Sequence, residues 1–343
     1  MEVNLRDIKI SPILDSVRRE KISDEIYFRD YKDYISNSKL KLINPAQGGS
    51  IESWLSGFKD SANTSLILGS CVHSLLLQPE SFTLGPKLDK PTAKLGAVID
   101  SIRKHRKLGH SIYTSIELAC KEIGYYLKSY KDKIPNIIKS GYKYYIKSLQ
   151  YNVDNTWLLS DKDHTIVSNC LKSLKDINVK RILSPIGLFG EEIESYNEDA
   201  FFMSFDIKYR ELSGMLKIKM KADNWTIDTD SKTIVLNDLK TTGHLCCQFM
   251  QPGGSLETFH YERQFAFYLY VLLRYCEKTY GYNPEEWTIK CNVIVVETTA
   301  DNRAAIFPIT EELLEKGRRE FCKLLKMVAY YELVGYESEV IFV

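Results

Sequence analysis

The apolar positions of this chain keep two different periods. From residue 94 to 182 they recur at spacings of three and four, as in Ile112, Ile116, Ala119 and Ile123, which is the stripe of a helix face. A further helix is predicted over residues 61–77, after a polar loop at 44–50 that carries Pro45, Gly48 and Gly49, and before Pro79. Past residue 185 the period falls to two and β-branched residues gather. Strands are predicted at 186–196, 201–207, 214–227 and 233–240, with turn chemistry at 197–199, 211–213 and 228–232. Four successive strands imply an antiparallel meander. A helix over about 258–279, a strand at 288–298, an edge strand at 303–308 and a helix from 311 to about 334 complete an α+β layout.

These periods divide the chain into an N-terminal segment (1–60), a helical region (61–184), a strand-rich core (185–310) and a C-terminal helix packing on that core (311–343). A chain of 343 residues with 44% hydrophobic residues is ample for a packed interior, which excludes disorder. No apolar run approaches a membrane span, and residues 1–10 lack the apolar stretch of a signal peptide, so a cytoplasmic protein with no membrane partner is expected. The eight cysteines are scattered without a C-x-x-C pair, which argues against a zinc knuckle or a thiolate-held cluster and for reduced, mostly buried thiols.

The balance of 46 Lys and Arg against 45 Asp and Glu conceals an asymmetry. Residues 85–183 hold 19 basic against nine acidic side chains, so the remainder of the chain is correspondingly acidic. A basic half beside an acidic half suggests phosphate-gripping and cation-binding roles, although each lysine taken singly fits a solvated helix face.

Period two decides which side chains share a strand face. Lys217, Lys219, Lys221, Asp223 and Trp225 point one way, and Leu216, Ile218, Met220 and Ala222 the other. On the next strand Asp238 and Lys240 are neighbours, about 6 to 7 Å apart. A hairpin through residues 228–232 places Asp223 near Asp238. Two carboxylates with a lysine can bind a hard divalent cation and hold a water beside it.

The stretch Lys219 to Asp223 (KMKAD), followed by Asn237 to Thr242 (NDLKTT), resembles the signature of the PD-(D/E)xK nucleases. Two further motifs agree in order and spacing: Leu68 to Pro79 (LGSCVHSLLLQP) is similar to the opening helix of recombination exonucleases of the exodeoxyribonuclease VIII type, and Glu262 to Tyr268 (ERQFAFY) to their Gln-x-x-x-Tyr motif. The likeness spans about residues 66–298. It implies a restriction-endonuclease-like core, a central mixed sheet flanked by helices, with a large N-terminal helical elaboration.

Carried over by position, the resemblance makes His73, Asp223 and Asp238 ligands of Mg²⁺, for which Mn²⁺ can substitute, with the Leu239 carbonyl as a fourth. Lys240 would orient or deprotonate the attacking water. An auxiliary carboxylate is common on the family's first strand, where Glu192 or Glu194 could serve; Glu192 is taken as a metal residue, and Glu191 on the other face as solvated. Gln264 and Tyr268 lie four apart on one helix face, so Gln264 can hold a phosphate or the water while Tyr268 stacks nearby, or Tyr268 belongs to the apolar stripe with Phe265, Leu269 and Leu272. Where the family often has an arginine two before the first Asp, this chain has Lys221, which keeps the charge and loses bidentate phosphate recognition.

The function implied is a metal-dependent deoxyribonuclease, an exonuclease of recombination, repair or phage DNA metabolism in a bacterial or phage-infected cell. DNA is the expected partner, with a homo-oligomer and a single-strand annealing or recombination protein as further partners that the resemblance implies. Lys219 and Lys221 on the strand, and Lys143 and Lys147 where aromatics and lysines interleave at 141–151, are the expected DNA contacts. A non-catalytic DNA-binding or assembly module would have lost a ligand, and His73, Asp223, Asp238 and Lys240 are all present. A hydrolase of small phosphoesters leaves the basic half without a role.

Overall fold

The computed structural model describes residues 2–57, 64–91, 93–125, 130–187, 190–299, 301–336 and 340–342. The chain forms two compact units. The first gathers Met1–Asp60, Asp176–Val295 and Ala304–Val343, and the second Ser61–Lys175 with Val296–Arg303.

The first unit is built on a six-stranded sheet whose spatial order follows the sequence: β1 (Lys9–Glu20), β2 (Glu194–Tyr209), β3 (Leu212–Asp228), β4 (Thr233–Thr242), β5 (Thr288–Glu297) and β6 (Ala304–Pro308). β1, β2, β3 and β4 pair antiparallel in succession. Helix α1 (Asp24–Arg29) follows β1, α2 (Ile177–Leu183) precedes β2, α3 (Tyr261–Tyr280) connects β4 to β5, and α4 (Glu311–Val334) follows β6. This is an α+β unit with a mostly antiparallel sheet and flanking helices.

One expectation needs correction. The strands predicted at 186–196 and 201–207 are not separated by a turn: Glu194–Tyr209 is one strand, paired in constant register with β3 from Glu194↔Ile227 to Tyr209↔Leu212. The polar run that reads as a turn, Asn197 to Asp199, faces cross-strand partners instead. Asp199 accepts from the Trp225 indole nitrogen at 3.1 Å, and Asn197 from the Asn224 amide at 2.8 Å. Residues 188 and 189 of the first predicted strand lie outside the described residues, as do 61–63 of the helix predicted at 61–77. The N-terminal segment, for which no element is predicted, supplies edge strand β1, whose register shifts between Ile13 and Arg18. Pro12 is tolerated there because an edge strand has ladder positions that need no N–H.

The core lies between the sheet and α3 with α4. Phe265, Phe267, Val271 and Leu272 of α3 and Phe321, Leu324 and Val328 of α4 pack with Phe201, Ile218, Met220, Leu236, Val293 and Val295 of the sheet. Thr310 caps α4 by accepting from the Leu313 amide. Where α4 crosses α3, Gly317 is required: a Cβ there would stand 2.0 Å from the Glu262 carbonyl oxygen. The opposite sheet face around Ala200 and Phe202 is covered by Tyr27, with Tyr31 and Tyr34 packed against it.

The second unit is helical. Its helices Ala93–Lys107, Ile112–Glu122 and Tyr130–Ser148 bury Val98, Ile99, Ile102, Ile116, Ala119, Ile137 and Tyr144 together. The Tyr144 hydroxyl donates to Asp100 at 2.7 Å, and Lys90 meets the same carboxylate at 2.5 Å. Among the described residues no helix is long and apolar enough to cross a membrane. Six of the eight cysteines are buried, all eight are unbridged, and Cys247 and Cys322 are exposed.

Candidate active site

A fork in the sheet creates the site. β3 and β4 pair from Asp228↔Thr233 to Asn224↔Asn237, and the ladder ends there. Beyond it the Leu239 amide donates at 2.7 Å to the Asp223 carboxylate rather than to a strand carbonyl. Further along β3 the place of β4 is taken by Ile35, which donates to the Lys217 carbonyl at 2.8 Å and accepts from the Lys219 amide at 2.9 Å. The diverging strands therefore present Asp223, Asp238 and Lys240 at an opening between two paired regions.

Each side chain there is held. Asp238 is 1% exposed and forms an ion pair with Lys240. Its Oδ1 accepts from the Gln264 amide of α3 at 2.9 Å. Lys240 also lies over the Tyr261 ring, 4.9 Å from its centroid, a cation–π contact. Glu198 of β2 occupies the register position opposite Asp223, between the pairs Asn197↔Asn224 and Asp199↔Ala222. A carboxylate oxygen of Glu198 and one of Asp223 lie within 4.8 Å of each other. Glu198 has φ of +55°, a left-handed conformation that is uncommon away from glycine and persists only where the surrounding structure over-determines it.

The electrostatics follow from burial and clustered charge. Burial raises the Asp223 carboxyl above its ordinary range, against the opposing pull of Lys240 and the Leu239 amide. For Lys240, burial disfavours the charged form, but Asp238 and Asp223 outweigh it and hold the ammonium above the usual lysine range. A lysine so held stays protonated at neutral pH. The Tyr268 phenol is raised well above its usual value, chiefly by burial and then by Tyr27, Asp238, Asp223 and Glu198, so it remains a hydrogen-bond donor at neutral pH.

The remaining candidates fall elsewhere or into other roles. Glu192 is exposed and lies before β2, bridged in backbone to Ile186, so it is not on the strand that faces Asp223. Glu194 begins β2 and accepts from the Tyr196 hydroxyl at 2.6 Å. The carboxylate opposite Asp223 is Glu198, which the apparent turn at 197–199 conceals. Lys219 is not available to DNA: it is 4% exposed, its ammonium donates to the Tyr27 carbonyl of α1 at 2.7 Å, and burial, aided by Lys39, brings its pKa down to about 8. Lys221 is likewise engaged, with Asp24 at 2.5 Å and Glu198 at 2.8 Å, its side chain only 12% exposed. Both lysines hold α1 to β3. Lys143 and Lys147 are exposed in the second unit, 3.9 and 4.0 Å from Asp89. Along the same helix Tyr142 is exposed, whereas Tyr144 is buried. His73 lies half-buried on the helix Thr64–Leu77 of the second unit.

A row of asparagines behind the site is the other feature that strand patterning does not reveal. Asn224 donates to Asn197 at 2.8 Å, Asn237 to Asn224 at 2.7 Å, and Asn292 to Asn237 at 2.9 Å, so one row joins β2, β3, β4 and β5. Asn224 and Asn237 are fully buried. They alternate with Asp223 and Asp238 and so face away from them.

No family model matches the chain, and no curated protein does. Among solved structures it is similar to a crystal structure of a "Putative exonuclease" from Eubacterium rectale, at 12% identity and a TM-score of 0.45, over 91% of this chain and 86% of that one. A likeness of that size sets neither a fold family nor an activity.

Proposed function

We propose that this chain is a metal-dependent deoxyribonuclease that degrades DNA from its ends. The observation that carries the reading is the fork: it gathers Asp223, Asp238 and Glu198 with a charged lysine and a glutamine that fixes one of the acids. Asp223 and Glu198 bring carboxylate oxygens within reach of one ion, and with Asp238 they would make an oxygen-rich donor set that suits Mg²⁺, or Mn²⁺ in its place. Asp223, Asp238 and Glu198 would hold the ion, with His73 and the Leu239 carbonyl as the further ligands that the PD-(D/E)xK resemblance implies. When bound, such an ion makes water a better nucleophile and offsets charge on phosphoryl oxygens.

The chain's own groups do the rest. Gln264 sets the rotation of the Asp238 carboxylate through its bond to Oδ1. Lys240, kept protonated by its two acids, aims a positive charge at oxygens that become more negative in the transition state. Tyr268 contributes a neutral phenolic donor. The exposed Lys143, Lys147 and Tyr142 are the proposed strand contacts, giving phosphate attraction and stacking in a sequence-independent manner. A role in recombination, repair or phage DNA metabolism follows from the motif resemblance.

The test uses end-labelled linear and closed circular DNA with Mg²⁺ or Mn²⁺. Loss of the linear form alone, abolished in Asp238→Asn, is the expected result. Loss of both forms would make the enzyme an endonuclease. Intact DNA with either ion, or an Asp238→Asn protein as active as its parent, would overturn the assignment.

A further inference from the structure

A second group of metal-ligating side chains lies where α3 and α4 cross, and none of its members belongs to the fork. His260 precedes the first turn of α3, Glu262 lies within that turn, and Glu320 projects from α4. One potential ligand atom from each falls within 4.8 Å of the other two. We propose that His260, Glu262 and Glu320 form a site for a divalent transition cation of the zinc class, which pins the start of α3 to α4.

Two buried polar atoms support this. Glu262 is 1% exposed because Gly317 lets the backbone of α4 rest against it. Lys316 satisfies Oε1 of Glu262 at 2.9 Å, while Oε2 is buried with no hydrogen-bond partner. A buried carboxylate oxygen left in that state keeps its desolvation penalty with no bond in return. The second atom is His260 Nδ1, which stands 2.9 Å from Glu320 Oε1 but is not directed at it as a hydrogen bond. Two atoms that share a cation behave in this manner, since their lone pairs converge on the ion and not on each other. In a tetrahedral site with bonds of about 2.0–2.1 Å the ligand atoms lie about 3.3 Å apart, so small side-chain rotations bring the three into place.

The backbone points the same way. His260 has φ of +54° and makes no side-chain cap for α3, so its conformation is not explained by helix capping. Nearby positive charge does not fill the site. Arg263 reaches Glu320 through Oε1 at 3.1 Å, and the neutral Asn44 amide donates to the same oxygen at 2.7 Å. Lys316 is 51% exposed, so its ammonium can turn into water once a cation takes its place beside Glu262. With an imidazole as one of only three side-chain ligands, the set favours a zinc-class ion over Mg²⁺ or Ca²⁺, whose sites are dominated by oxygen.

The experiment uses the full chain carrying Asp223→Asn and Asp238→Asn, stripped with chelator and titrated calorimetrically with Zn²⁺ alone. This background takes two of the three carboxylates from the fork, and DNA cleavage is not read, so the result is independent of the nuclease assignment. About one Zn²⁺ per chain is expected. Adding His260→Ala should weaken it at least tenfold, with circular dichroism unchanged. His260→Cys should restore Zn²⁺ binding and give a thiolate charge-transfer band with Co²⁺ that the His260 parent lacks. Absence of Zn²⁺ binding in the starting background, undiminished binding in His260→Ala, or no new Co²⁺ band in His260→Cys would each overturn the proposal.

Discussion

Replacing Lys240 with methionine keeps most of its volume and removes its charge, which separates the two things that lysine does. The Lys240 side chain is 12% exposed and that of Asp238 1%, so this is a buried pair rather than a surface one. Breaking a buried pair from one side costs about 3–5 kcal/mol, because the remaining charge is left uncompensated. Here Asp223 also loses its main opposing charge. Against a typical domain stability of about 5–15 kcal/mol, the loss is large. Without the lysine both carboxyls should take up protons more readily, so their folded pKa values rise. A raised folded pKa gives stability that is present at low pH and lost as pH rises through it. The variant should therefore be most impaired at neutral and alkaline pH and recover as the solution is acidified. Mg²⁺ should restore stability in the variant more than in the parent, since the ion replaces the missing positive charge, while DNA cleavage stays abolished. Urea unfolding followed by tryptophan fluorescence suits the measurement, because Trp54, Trp225 and Trp287 all lie in the first unit. A variant within about 0.5 kcal/mol of the parent at neutral pH, or one indifferent to Mg²⁺, would refute this account of the fork.

Other outcomes test other parts of the molecule. Asn224→Ala removes donors to Asn197, Ser195 and Leu183 and the acceptor for Asn237, and at about 1 kcal/mol net per bond should cost roughly 3–4 kcal/mol in urea unfolding; a loss below about 1 kcal/mol would mean the row is not structural. Lys219, at about 8 when folded and near 10.4 when unfolded, binds fewer protons in the folded state between these values, so stability should rise with pH from about 8 to 10. That slope should vanish in Lys219→Met, as thermal melts across the range would show. Charge reversal of Lys143 and Lys147 together should weaken DNA binding and lower the slope of log affinity against log salt by roughly 0.7 to 0.9 for each phosphate no longer neutralised. An unchanged slope would make them a solvated helix face.

Much of the architecture is legible because burial imposes periodicity. The stripes of α3 and α4, the β3–β4 hairpin and the helical second unit all follow from spacings of two or of three and four. Periodicity misleads where polar side chains are buried against one another. Asn197, Glu198 and Asp199 have the composition of a turn, yet they lie within a strand, since each has a partner on β3 that makes its burial tolerable. Lys219 and Lys221 alternate as exposed strand residues should, but α1, brought in from the N-terminal segment, covers them. Single-chain patterning cannot register a cover supplied from about 190 residues away, the separation between Tyr27 and Lys219. Edge strand β1 is hidden for a related reason, as its polar positions and Pro12 are acceptable only on an edge.

The asparagine row explains how the fork can be accurate in a sheet that opens beside it. Asn237 and Asp238 are consecutive on β4, as are Asp223 and Asn224 on β3, so a slip of one residue in either strand would exchange acid for amide on both faces. An all-apolar inner face would resist such a slip only through shape. The row resists it through unmet hydrogen bonds, because buried amides moved out of register lose donors and acceptors in several strands together. The ladder needs that restraint at its last pair, Asn224↔Asn237, since no further pair follows it toward Asp223 and Asp238. Placing the strongest register lock one residue behind the carboxylates lets the strands part immediately afterwards. The opening is thereby kept beside Asp223 and Asp238.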